Sequence, residues 1–114
     1  MIDNRISSGT ATPTTYCASH IHLEWIRVNT NVIQTNLFLE VTGISGSQDA
    51  IIATGFPKPR LGLDTPRFLT WWGVGSATKN TIIVYIDRQG NLHAARDEAA
   101  GSGNVALTAS FYYI

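Results

Sequence analysis

The chain has 114 residues, enough for one compact domain and too few for two ordinary ones. It is 44% hydrophobic but only 14% charged, and its eight basic side chains cancel its eight acidic ones. It therefore lacks the one-signed field that tracks a nucleic-acid backbone or an anionic membrane. Cys17 is a single cysteine and closes no intrachain disulfide, no apolar run approaches the ~20 residues that span a bilayer, and residues 1–6 lack the apolar core of a signal peptide.

In chain order, residues 7–15 are small and polar, without periodicity, and read as a flexible lead-in or linker before a compact part that starts near Tyr16. Residues 20–27 alternate, with Ile21, Leu23 and Trp25 on an inner face and His20, His22 and Glu24 on the outer one, which predicts a half-buried strand. After a turn at residues 29–31, residues 32–42 place Ile33, Leu37, Leu39 and Val41 inward and Gln34, Asn36, Glu40 and Thr42 outward, with Phe38 breaking the pattern. Residues 43–50 read as a loop and 51–54 as a short apolar strand. The prolines at 57 and 59 then forbid a helix or a central strand.

Residues 68–73 and 81–87 predict two more strands. Gly90 supplies the turn of a hairpin leading into residues 92–94. Residues 94–100 have a helical composition but no apolar face, and read as a strand end followed by a loop. Residues 105–114 alternate again. Seven or eight short strands in one domain predict an antiparallel β-sandwich or barrel.

The candidate chemistry is sparse. His20 and His22, two apart on a strand, would face the same side, with Glu24 next and Cys17 upstream, so the pair could hold a transition metal that a three-fold axis would complete. The alternative is two solvent-facing histidines, with Cys17 a small buried hydrophobe. Residues 43–46 lack the strand-to-helix context of a nucleophile elbow, and Asp49, Asp64, Asp87, Asp97 and Glu98 fall in turns where Asp bonds the local backbone. A glycosidase pair such as Asp64 and Asp97 would be a three-dimensional property that spacing does not give.

Trp71 and Trp72 are adjacent in a predicted strand and must leave on opposite faces, so one of them is available to a neighbouring subunit or to a saccharide ring. Arg60, Asp64 and Arg67 before them, and Arg96 and Asp97 after, are the charged groups best suited to bonding sugar hydroxyls or phosphate substituents.

The segment Leu37-Phe-Leu-Glu-Val-Thr-Gly-Ile-Ser-Gly-Ser-Gln-Asp-Ala-Ile-Ile-Ala-Thr-Gly-Phe-Pro-Lys-Pro59, the hairpin Val84-Tyr-Ile-Asp-Arg-Gln-Gly-Asn-Leu92 and the closing aromatic strand after Ser102 resemble one family. It is the C-terminal receptor-binding head domain of bacteriophage tail fibres and baseplate receptor-binding proteins. The resemblance covers residues 32–114. It implies a homotrimeric, jelly-roll-like β-sandwich spanning residues 16–114. The implied role is non-enzymatic binding of a saccharide or teichoic-acid-like receptor at the phage tail tip, outside the cell, with no cofactor.

No shaft repeat or virion anchor is present, which fits an excised head with an added Met1 or a small stand-alone relative, the rest of the fibre lying N-terminal to it. Two other readings accompany this one. The first is a structural trimerisation tip, with metal at His20 and His22; the second is a polysaccharide-degrading tail enzyme.

Overall fold

The computed structural model describes residues 7–42, 49–71, 81–96 and 105–114. Among them are nine strands: β1 (Ser8–Thr10), β2 (Thr12–Pro13), β3 (Cys17–Asn29), β4 (Val32–Val41), β5 (Asp49–Thr54), β6 (Phe68–Trp71), β7 (Thr81–Ile86), β8 (Leu92–Arg96) and β9 (Val105–Tyr113). They form two antiparallel sheets, β1-β3-β4-β9 and β2-β5-β8-β7-β6. The expected β-sandwich is the observed architecture. In the second sheet β6, β7 and β8 follow as neighbours while β5 returns beside β8, a Greek-key order.

Alternation explains which residues meet between the sheets. On β4, Ile33, Thr35, Leu37, Leu39 and Val41 are buried, and across the sandwich Ile52, Ile82, Val84, Ile86, Leu92 and Ala94 answer them. Each such aliphatic side chain contributes roughly 1.5–3 kcal/mol on leaving water. Thr35, fully buried, keeps its hydroxyl satisfied by donating to the Phe111 carbonyl at 3.2 Å and accepting from the Phe111 amide at 3.3 Å.

Residues 8–13, expected as a linker, instead close one side of the sandwich. β1 pairs with β3, β2 pairs with β5, and buried Ala11 sits between them with its amide on the Leu23 carbonyl at 2.8 Å. Paired strands are therefore present from Ser8 onward, ahead of Tyr16. A stretch of Ser, Thr and Gly carries no apolar period, yet an edge strand needs only backbone pairing. Gly9 in particular lies under Trp25: a Cβ there would come within 3.0 Å of the indole. The opposite side is joined by Phe68 of β6, stacked on Phe111 of β9 with centroids 4.3 Å apart.

The expectation that Ile21 is core fails. His20 pairs with Leu39 and His22 with Phe38, so Ile21 is an extra residue in β3 and is 70% exposed. A one-residue bulge shifts every side chain beyond it to the other face. The inner set resumes correctly at Leu23, and Trp25 is half-buried against the core.

Residues 55–67 carry the chain from β5 to β6 across the end of the sandwich. The Phe56 amide donates to the Gly90 carbonyl at 3.0 Å, the Thr65 amide to Ile86 at 2.8 Å, the Arg60 amide to Ile114 at 3.0 Å, and the Tyr113 hydroxyl to Pro57 at 2.9 Å. Prolines suit this path because it is extended and bonded at other positions. Gly90 adopts φ +87°, and a Cβ at it would lie 2.2 Å from the Phe56 carbonyl oxygen. Only glycine allows this approach.

Candidate functional site

Three of the charged residues singled out in the sequence lie on the crossover. Arg60 reaches from it to the Asn31 side chain, in the turn between β3 and β4. Asp64 accepts the Arg88 backbone amide at 3.0 Å and lies 3.7 Å from its guanidinium. Arg67 places its guanidinium 4.2 Å from the centre of the Tyr85 ring, a cation–π contact. Arg60 thus stands apart, while Asp64 and Arg67 border one surface. Trp71 ends β6 and Arg96 ends β8. Trp72 and Asp97 lie outside the described residues.

The surface that Arg67 borders is the outer face of the five-stranded sheet, and its centre is a residue that composition and spacing did not mark. Hairpin register sets Tyr85 of β7 opposite His93 of β8, and their rings stack at 4.4 Å and 11°. The His93 ring lies between two carboxylates, with Nδ1 2.8 Å from Asp49 and Nε2 2.6 Å from Asp87. Tyr85 donates its hydroxyl to the other oxygen of Asp49 at 2.6 Å. Asp87 also accepts the amides of Gln89 and Asn91 and the Asn91 side-chain amide, so it caps the hairpin at the same time.

Two carboxylate partners require both ring nitrogens to donate, which favours the imidazolium. Burial alone would push the His93 pKa down, but the hydrogen bonds to Asp87 and Asp49 outweigh it and hold the value above the ordinary histidine range. Burial likewise opposes ionisation of Asp87, yet the bonds from His93, Asn91 and Gln89 together hold its pKa below normal. Tyr85 is pushed up to about 12 by burial first and by its bond to Asp49 second.

With both nitrogens engaged, His93 has none left to take a proton from a substrate, and the cluster ties β5, β7, β8 and the hairpin together. The hairpin pairing of Tyr85 with His93 and the turn position of Asp87 could have been read from the predicted turn. Asp49 arrives from 44 residues away and could not.

The histidine pair at the start of β3 is parted by the bulge. His20 pairs with Leu39 and His22 with Phe38, with Ile21 unpaired between them, and both histidines are exposed. His22 Nδ1 instead lies 2.5 Å from Glu24. Among the described residues, no group of three or more His, Cys, Asp or Glu is placed to hold a metal. Cys17 is half-buried, with its thiol on the Ser19 carbonyl at 3.4 Å, and burial raises its pKa, the opposite of an activated thiolate.

The topology has a solved counterpart. The receptor binding protein gp15 of Listeria phage PSA superimposes on this chain with a TM-score of 0.59 at 17% sequence identity, over 97% of this chain and 67% of that one. The two share a fold. No protein-family model and no curated protein sequence matches the chain. The likeness is one of fold: the sandwich has the architecture of that phage receptor binding protein.

Proposed function

We propose that this chain is the receptor-binding head of a phage tail fibre or baseplate, acting as a homotrimer that holds a host-surface saccharide without cleaving it. The observation that carries the reading is the fold shared with a phage receptor binding protein over 97% of the chain. Two features support it. The charges balance, so the chain has little long-range field to oppose packing of copies or to demand an ionic ligand. The loop charges around Asp64, Arg67 and His93 mostly engage one another, as suits a scaffold that fixes loops more than a centre of acid–base chemistry.

Within this reading Trp71 and Trp72, at and after the end of β6, serve as an aromatic platform, with Arg67 and Arg96 as hydrogen-bond donors. The site of action is the virion tail tip.

Cosedimentation of the purified chain with intact bacteria, from a panel that includes Listeria, tests the role; saturable binding to at least one strain is expected. Failure with every strain would overturn it. Light scattering tests the assembly. A mass three times the 12.4 kDa of the chain is expected, and a monomer at micromolar concentration would remove the trimer from the account.

A further inference from the structure

The outer face of the four-stranded sheet differs in character from the self-paired cluster on the other sheet. Register lays its side chains out in rows. Thr10, Glu24, Asn36 and Ser110 stand abreast across β1, β3, β4 and β9; His22, Phe38 and Thr108 form the row on one side of them, and Ile26, Gln34 and Tyr112 the row on the other. Along the first two of these rows runs an open groove of about 480 Å³, lined chiefly by His22, Glu24, Asn36, Phe38, Thr108 and Ser110; Tyr112 stands beyond it and borders a second, apolar hollow with Leu61, Leu63 and Ile114.

Two aromatic rings stand out of this largely polar surface, Phe38 at 40% exposure and Tyr112 at 59%. Exposed apolar side chains scattered singly mean little. These two flank one row of hydrogen-bonding groups, and the four steps along β9 from Thr108 to Tyr112 set their rows about 13 Å apart at ~3.3 Å per residue.

The polar groups between the rings are only partly engaged. Ser110 donates to the Thr35 carbonyl at 3.0 Å and lies 3.2 Å from Asn36 Oδ1; His22 Nδ1 and one Glu24 oxygen hold each other. Among the described residues these bonds leave the Asn36 amide N–H groups, the second Glu24 oxygen and His22 Nε2 over, on three residues that line the groove: a donor, an acceptor and a group able to be either.

Flat apolar faces with fixed donors and acceptors between them match a sugar, which has C–H faces and a rim of hydroxyls that both donate and accept. Among the described residues no lysine or arginine lines the groove, and its one carboxylate is already bonded to His22, so the complement is a neutral polymer and not a phosphate-rich one.

We propose that this face is the docking surface for an uncharged, hydroxyl-rich saccharide of the host envelope. Phe38 and Tyr112 stack on its rings, and Glu24 and Asn36 bond its hydroxyls. The proposal rests on the receptor-binding reading and adds a contact surface on the four-stranded sheet to the platform proposed at residues 71 and 72.

An array of bacterial envelope polysaccharides, probed with the wild-type chain and with Phe38→Ala, Asn36→Ala and the Trp71→Ala/Trp72→Ala pair, separates the two claims. For the saccharide bound by wild type, Phe38→Ala is expected to weaken binding about tenfold. Asn36→Ala is expected to weaken it several-fold. Both positions are on the outer face, and both variants should keep the wild-type melting temperature and solution mass. Because the ligand is uncharged, affinity should hold between low and high salt.

Wild-type binding that survives Phe38→Ala and Asn36→Ala but is lost in the tryptophan pair would overturn this site and leave the receptor role standing. A fall in oligomeric mass on Phe38→Ala would show the face to be a contact between copies and would also overturn it. Binding that collapses with salt would contradict a neutral ligand. No binding by wild type to any polysaccharide would remove the saccharide reading itself.

Discussion

Replacing His93 by Gln should cost more stability in mild acid than at alkaline pH. The imidazolium makes two charge-assisted hydrogen bonds, at 2.8 Å to Asp49 and 2.6 Å to Asp87. Such bonds are worth about 1.5–3 kcal/mol each when desolvated. The side chains of His93 and Asp87 are 16% and 13% exposed, but that of Asp49 is 43% exposed, and solvent screening discounts its share. A net loss of about 2–3 kcal/mol near pH 5.5 follows, or roughly 10 °C in melting temperature for a chain of this size.

The sign of the pH dependence comes from the two opposed shifts. The pKa of His93 is raised on folding, so its contribution is complete below the unfolded value of about 6.5 and is lost as pH rises through the higher folded value. The pKa of Asp87 is lowered, so its contribution is complete above about 3.9 and is lost as pH falls through the lower folded value. The cluster therefore stabilises most between about pH 4 and 6.5.

Urea denaturation of wild type and His93→Gln from pH 4 to 9 gives the difference directly. The gap between the two should be widest near pH 5.5 and narrow toward pH 9. A constant gap across that range would refute the assignment of a charged imidazole between the carboxylates.

Other substitutions probe the frame that carries the two faces. Gly90→Ala combines a positive φ with a 2.2 Å approach to the Phe56 carbonyl and should cost about 2–4 kcal/mol, read as a fall in the urea midpoint. An unchanged midpoint would mean that the crossover does not press on the hairpin. Ile21→Ala should change stability by less than about 0.5 kcal/mol. Leu23→Ala should cost about 2–5 kcal/mol. Equal losses at both positions would contradict the bulge. Gly9→Leu should dislodge Trp25, visible as a red-shifted and weaker indole emission; an unchanged spectrum would show that β1 does not cover the ring.

Much of the sandwich was legible because alternation states directly which side of a sheet a residue occupies. The inner set of β4 and the hairpin at Gly90 came through intact. What alternation does not carry is parity. A single extra residue at Ile21 reverses the assignment before it, and no composition marks the bulge, since the unpaired residue is itself apolar. The edge strands around Ala11 were hidden for the converse reason: backbone pairing and one small buried side chain hold them, so the stretch is free to look like a linker.

The site was harder still. His93 has one carboxylate from its own hairpin and one from β5, and the second is fixed only by sheet order. The groove on the other sheet is likewise a property of three strands in register; Phe38 drew attention in the sequence only as the residue that broke a pattern.

The measurement that bears most directly on the proposed role is binding to intact cells before and after periodate oxidation of their surface sugars. Cosedimentation of the wild-type chain with a binding strain should be lost once the vicinal diols of the envelope polysaccharide are cleaved, and soluble polysaccharide from untreated cells should compete. Binding that persists undiminished after oxidation would mean that the chain holds something other than a saccharide and would contradict the account.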